Sequence, residues 1–80
     1  MSWYIYIVEC DDGTLYTGST NNLEQRIEDH NSSIKGAKYT KARRPVKLVY
    51  SKRKKNRSYA LKEEAFIKKL TRTEKRNLFE

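Results

Sequence analysis

The chain has 80 residues, 36% hydrophobic and 35% charged, with 18 Lys and Arg against 10 Asp and Glu, a net charge of +8. That length suits one domain, read as 1–80, with a small core that buries roughly 60–65% of the unfolded surface. The longest apolar run, Ile5 to Val8 with its aromatic neighbours, is too short to span a bilayer, and a single cysteine, Cys10, excludes an internal disulfide. No leader pattern is visible, so a reducing, cytoplasmic setting is expected. The positive balance points to a polyanionic partner, nucleic acid foremost.

Trp3 to Cys10 and Thr14 to Gly18 are β-rich runs on either side of Asp11-Asp12-Gly13. A three-residue loop, a type I turn followed by Gly13 in the left-handed region, pairs Cys10 with Thr14 and Val8 with Tyr16. Under that register Tyr4, Tyr6, Val8, Tyr16 and Gly18 share one face. Trp3, Ile5, Ile7, Leu15 and Thr17 take the other. A two-residue loop, Asp12-Gly13, would shift the pairing and put Tyr6 and Tyr16 on opposite faces.

After Gly18, Asn21 with Glu24 or Asn22 with Gln25 can form a capping box. Leu23, Ile27 and His30 then lie along one side of a helix that runs to about Asn31, with Arg26 one turn before His30. Ser32 to Lys41 reads as a polar loop with a helical turn near Lys38. Pro45 introduces a third strand, Val46 to Ser51, with Val46, Leu48 and Tyr50 on one face and Val49 on the other. A basic loop, Lys52 to Arg57, follows. Ser58 caps a helix to about Leu70, whose stripe is Tyr59, Phe66 and Leu70 with Ala60 and Ile67 beside it. Thr71 and Glu74 form a second capping box before a short helix with Leu78 and Phe79. The order β-β-α-β-α-α implies an α+β fold, a small three-stranded antiparallel sheet flanked by helices.

Metal-binding Cys/His sets, glycine-rich phosphate loops and Ser-His-Asp spacings are absent, and no small-molecule cofactor is called for. A different kit is present. Tyr6 and Tyr16 face the same side, Arg26 and His30 project from the next helix, and Glu63 and Glu64 lie on a later one. Hydrolysis of a phosphodiester needs a base for water, positive charge for the phosphate and a Lewis acid for the leaving oxygen. A phenolate, an arginine fork and a carboxylate holding Mg²⁺ (or Mn²⁺) supply these. Lys35, Lys38, Lys41, Arg43 and Arg44, with the basic loop, are candidate phosphate contacts.

Tyr4-Ile5-Tyr6, ten residues before Tyr16-Thr17-Gly18, resembles the paired signature of the GIY-YIG nuclease domain. Arg26, ten residues after Tyr16, and His30, four after Arg26, fit that pattern. The run Ala60-Leu61-Lys62-Glu63-Glu64 resembles the family's glutamate-bearing helix, which makes Glu64 the implied metal ligand and Glu63 its rival. The match covers essentially the whole chain. Gly36-Ala37-Lys38-Tyr39-Thr40 and Leu70-Thr71-Arg72-Thr73-Glu74-Lys75 resemble the small stand-alone bacterial subfamily. The resemblance implies a metal-dependent cut, with DNA the favoured substrate and one signature tyrosine helping to activate the nucleophile. It assigns Tyr6, Tyr16, Arg26 and His30 to catalysis. Three departures stand out: no glycine in Tyr4-Ile5-Tyr6, Ser19 where relatives often carry lysine, and only Asn77 as a weak match for a later asparagine. The last two motivate an alternative, a non-catalytic module that binds DNA or RNA. Either way, the two phenols, the guanidinium and the acid are expected over the same side of the sheet.

Overall fold

A computed structural model describes residues 2–32 and 35–80. Ser33 and Ile34, in the middle of the expected loop, lie outside the described residues. β1 (Trp3–Glu9) turns into β2 (Leu15–Thr20) through the three-residue loop. Cys10 N donates to Thr14 O at 2.8 Å, Gly13 N donates to Cys10 O at 2.9 Å, and Gly13 has φ 83°. A residue with a Cβ would be strained by roughly 1–2 kcal/mol in that conformation. The turn fixes the register: Val8 sits opposite Tyr16 and Tyr6 opposite Gly18.

β3 (Lys47–Lys54) pairs antiparallel with β1 on its other side, which gives the strand order β2-β1-β3. The helices are α1 (Leu23–Ser32), α2 (Lys38–Lys41), α3 (Arg57–Lys68) and α4 (Arg72–Arg76). The expected order is observed, and the turn near Lys38 becomes α2. Asn22 caps α1 by accepting from Gln25 N at 3.2 Å. Thr71 and Glu74 form the full capping box of α4. No helix among the described residues is long and apolar enough to cross a membrane.

Three local expectations are corrected. β3 carries a bulge: Ile7 pairs with Tyr50 while Val8 pairs with Leu48, so Val49 is the extra residue. The bulge puts Tyr50 on the face opposite Leu48. The basic segment is largely strand, since β3 continues to Lys54, and Asn56 rather than Ser58 caps α3 by accepting from Tyr59 N at 3.1 Å. The stripe of α3 is also rotated. Ala60 and Ile67 are buried, whereas Tyr59 is 51% and Phe66 61% exposed. Ala60, with no bulk beyond Cβ, lets the helix lie close to the sheet and turns the large rings outward.

Each face of the sheet carries its own core. Ile5 and Ile7 pack with Ile67 of α3, joined by Leu15, Val49, Tyr50, Leu70 and Phe79. Tyr6, Val8, Cys10 and Val46 form the other cluster, joined by Tyr16 and by Leu23 and Ile27 of α1. Full burial of a Val, Leu or Ile side chain is worth about 1.5–3 kcal/mol.

Candidate active site

Tyr6 owes its place to Gly18. A Cβ built on Gly18 would come within 2.5 Å of the Tyr6 hydroxyl, so only glycine leaves room for the phenol across the edge strand β2. There the Tyr6 hydroxyl lies 2.7 Å from His30 Nε2. His30 is fully buried, and its Nδ1 is 2.9 Å from Thr40 Oγ1 in α2. Arg44 donates from Nε to the backbone oxygen of His30 and from Nη2 to that of Asp29, which pins the end of α1. Asn31 ties the same end to β3 by bonding both backbone groups of Val46, at 2.6 and 3.0 Å.

Tyr16 completes an aromatic group. Its ring meets His30 edge-on at 5.3 Å and stacks on Tyr39 at 5.8 Å. The Arg43 guanidinium lies 4.2 Å over the Tyr39 ring, held by Asp12 at 3.1 Å and by Tyr39 O at 2.9 Å. Among the described residues, no hydrogen bond engages the Tyr16 hydroxyl.

Burial separates the two members of the Tyr6–His30 pair. It pushes the Tyr6 phenol up to about 12, partly opposed by the neighbouring Arg26 guanidinium. It pushes the His30 imidazole down to about 4, and the Arg26 and Arg44 charges add to this. Both groups are therefore neutral at pH 7, and moving a proton from Tyr6 to His30 is strongly uphill. The charges of Arg26 and Glu64 both bear on the Tyr6 phenol. Arg26 also donates from Nη1 to Lys35 O at 2.8 Å, which fixes its stem.

Glu64 arrives from the other side. α3 packs on the Ile5/Ile7 face, yet Glu64 reaches the β2 edge and accepts from Ser19 Oγ at 2.7 Å. Its second oxygen pairs with Lys68, one turn on, at 2.8 Å. Glu63 pairs instead with Lys54 on β3 at 3.2 Å. Because β1 lies between β2 and β3, the two glutamates serve opposite edges of the sheet, and Glu64 is the acid at the tyrosine edge. The expected convergence over one face is thus corrected. Phenols and imidazole occupy one face, and the carboxylate joins them around the glycine-thinned edge at Gly18.

A scan against known families matches the GIY-YIG catalytic domain to residues 2–77. The chain belongs to the GIY-YIG family. It is 57% identical over 77 residues to UPF0213 protein DP2720 of Desulfotalea psychrophila, covering 96% of this chain and 70% of that one. A UPF0213 protein of Syntrophus aciditrophicus is 57% identical over 75 residues, with 94% and 86% covered. Among solved structures, the solution structure of UPF0213 protein BH0048 from Bacillus halodurans has TM-score 0.61 and 42% identity, covering 98% of this chain and 82% of that one. The three-stranded antiparallel sheet with flanking helices is common to both.

Membership in the GIY-YIG family implies a nuclease-type function and contact with nucleic acid. Of the candidate phosphate contacts, Lys35 and Lys38 are exposed near this side of the molecule. Arg43 and Arg44 direct guanidinium groups to partners in their own chain, so both also hold the architecture. Ser19, Tyr39, Thr40 and Lys68 join the site without having been singled out as site residues from sequence. Only the Glu64–Lys68 spacing of four was readable as a contact beforehand.

The described residues hold no group of three or more His, Cys, Asp or Glu able to cage a metal. A hard divalent ion such as Mg²⁺ needs no such cage when phosphate oxygens and waters complete its shell. Glu64, the one carboxylate whose charge bears on Tyr6, fits that single-carboxylate arrangement.

Proposed function

We propose that the chain is a divalent-metal-dependent endonuclease that hydrolyses DNA phosphodiester bonds at the β2 edge. The observation that carries this reading is the placing of the Arg26 and Glu64 charges beside one buried phenol, Tyr6. Tyr6 stays protonated, which leaves Tyr16 as the phenol available to act as base. The Lys68 ammonium, which feels the charge of Tyr16, offsets the negative charge of a phenolate there. Once its own proton has passed to solvent, the Tyr16 phenolate takes a proton from water as the water oxygen bonds to phosphorus and the bond to the leaving oxygen breaks. Arg26 donates to the phosphate oxygens, where negative charge builds up. Glu64 would hold Mg²⁺ or Mn²⁺, which would supply Lewis-acid charge for the leaving oxygen. His30 supports Tyr6.

The rival reading, a basic module that binds nucleic acid without cutting, draws on Glu64, whose oxygens both meet partners in the chain, Ser19 and Lys68. Incubation with supercoiled and branched DNA, with Mg²⁺, Mn²⁺ or EDTA, separates the two. The nuclease reading expects metal-dependent cleavage that Glu64→Gln removes. Cleavage that persists in Glu64→Gln marks a contaminant, and binding with no cleavage favours the rival. Both readings expect affinity to fall steeply with salt, because phosphate contacts release counterions.

A further inference from the structure

We infer that Thr40 is a positioning residue: it fixes which nitrogen of His30 carries the proton and thereby turns the Tyr6 hydroxyl proton inward. Four groups form a chain of contacts. Thr40 Oγ1 lies 2.9 Å from Ala37 O and 2.9 Å from His30 Nδ1. A hydroxyl has one proton, and a carbonyl can only accept. The Thr40 hydroxyl sits in donor geometry to Ala37 O, so Oγ1 presents lone pairs to His30. Nδ1 must then carry the imidazole proton. A neutral imidazole has only one, so Nε2 is bare and accepts from Tyr6 at 2.7 Å. Donation runs in one direction, from Tyr6 to His30 to Thr40 to Ala37.

Ala37 O cannot reverse this order. It is anchored at the start of α2, where it also accepts the amides of Thr40 at 3.0 Å and Lys41 at 3.2 Å. His30 and Thr40 are both 0% exposed, so water does not compete for the lone pairs that they share.

The consequence for cleavage rests on the nuclease reading above; the tautomer does not. With its proton committed to His30, the Tyr6 oxygen offers only lone pairs outward, on the side where Arg26 acts on it. It can accept one proton of a water and so orient that water, while Tyr16 takes the other. In the opposite tautomer, Nε2–H would donate to Tyr6, and the hydroxyl proton would point outward as a donor. Thr40 thus decides whether Tyr6 receives a water or binds a phosphate oxygen.

The test reads the ring nitrogens of His30 by ¹⁵N–¹H correlation at pH 7 in the full chain. The native protein is expected to show a protonated Nδ1 and a bare Nε2, and Thr40→Ser the same pattern. Thr40→Val keeps the volume and removes the acceptor, so the Nδ1–H form loses its dominance while the backbone spectrum stays native-like. Metal-dependent cleavage falls about tenfold or more in Thr40→Val, with KM little changed, and recovers to within about threefold in Thr40→Ser. A native Nε2–H tautomer, or an unchanged ring pattern in Thr40→Val, overturns the inference. If Thr40→Val changes the ring pattern yet cuts at the native rate, the role in positioning is overturned as well. Absence of cleavage in the native protein counts against the nuclease reading alone, and the ring pattern still decides the tautomer.

Discussion

Beneath α3 the sheet is dry: Ile5, Ile7 and Ile67 form one apolar cluster, and the Thr17 hydroxyl buried on that face has no partner among the described residues. Beneath α1 and α2 the same central strand buries Tyr6 against His30, and His30 against Thr40, and each of those polar side chains is bonded. Burial serves two ends in one small molecule. On the dry face it supplies stability through apolar area, with little dependence on pH. On the wet face it orients polar groups and keeps two titratable ones neutral. The candidate site lies where the two meet, at the β2 edge, because Gly18 has no side chain to hold them apart.

Removing a functional group from the wet side gives the largest expected effect. Tyr16→Phe should lower metal-dependent cleavage by roughly 100-fold or more. Thermal unfolding should hardly move, since the hydroxyl has no bonding partner among the described residues. Equal losses of stability and activity would make Tyr16 a packing residue. On the dry side, Ile67→Ala should cost about 2–5 kcal/mol in urea unfolding, while the same change at exposed Phe66 costs far less.

Between pH 6.5 and about 4, acidification should act chiefly through His30, while the Glu9 and Asp12 carboxyls, held low by Arg76 and by Thr14, give up their stability at lower pH. The His30 value is depressed from 6.5 to about 4 in the folded state. Between those values the unfolded chain binds more protons, so stability rises with pH through this window and is lost as pH falls from 6.5 toward 4. That loss should reach roughly 2–3 kcal/mol and should be absent in a folded His30→Asn variant. A His30 titration midpoint near 6.5 would contradict its neutral burial. The smallest effect is a gain: Thr17→Val removes an orphaned buried hydroxyl and should stabilise by about 1 kcal/mol with cleavage unchanged.

Local chemistry made much of this legible from sequence. Asp11-Asp12-Gly13 suits a three-residue turn better than the two-residue alternative, and the turn that forms puts Tyr6 and Tyr16 on one face. The Thr71–Glu74 capping box was legible for the same reason, whereas at α1 only the Asn22 cap forms, because the Gln25 side chain bonds Asp29 instead. The bulge at Val49 was not, because it depends on how β3 meets β1 rather than on its own alternation. Nor was the rotation of α3, which follows from how near Ala60 lets the helix approach. The choice between Glu63 and Glu64 needed the strand order, because adjacent helix residues diverge by about 100° and only one points to the β2 edge. Thr40 and Tyr39 read as loop residues in sequence; their partners, His30 and Tyr16, lie on other elements.

The most direct test of the edge as a functional centre is a titration with substoichiometric Mn²⁺, followed residue by residue by NMR line broadening. The account predicts that signals of Gly18, Ser19, Glu64 and the Tyr16 ring broaden first, and that Glu64→Gln abolishes the effect. Broadening that begins at Glu9 and Asp12, or that survives in Glu64→Gln, would contradict it.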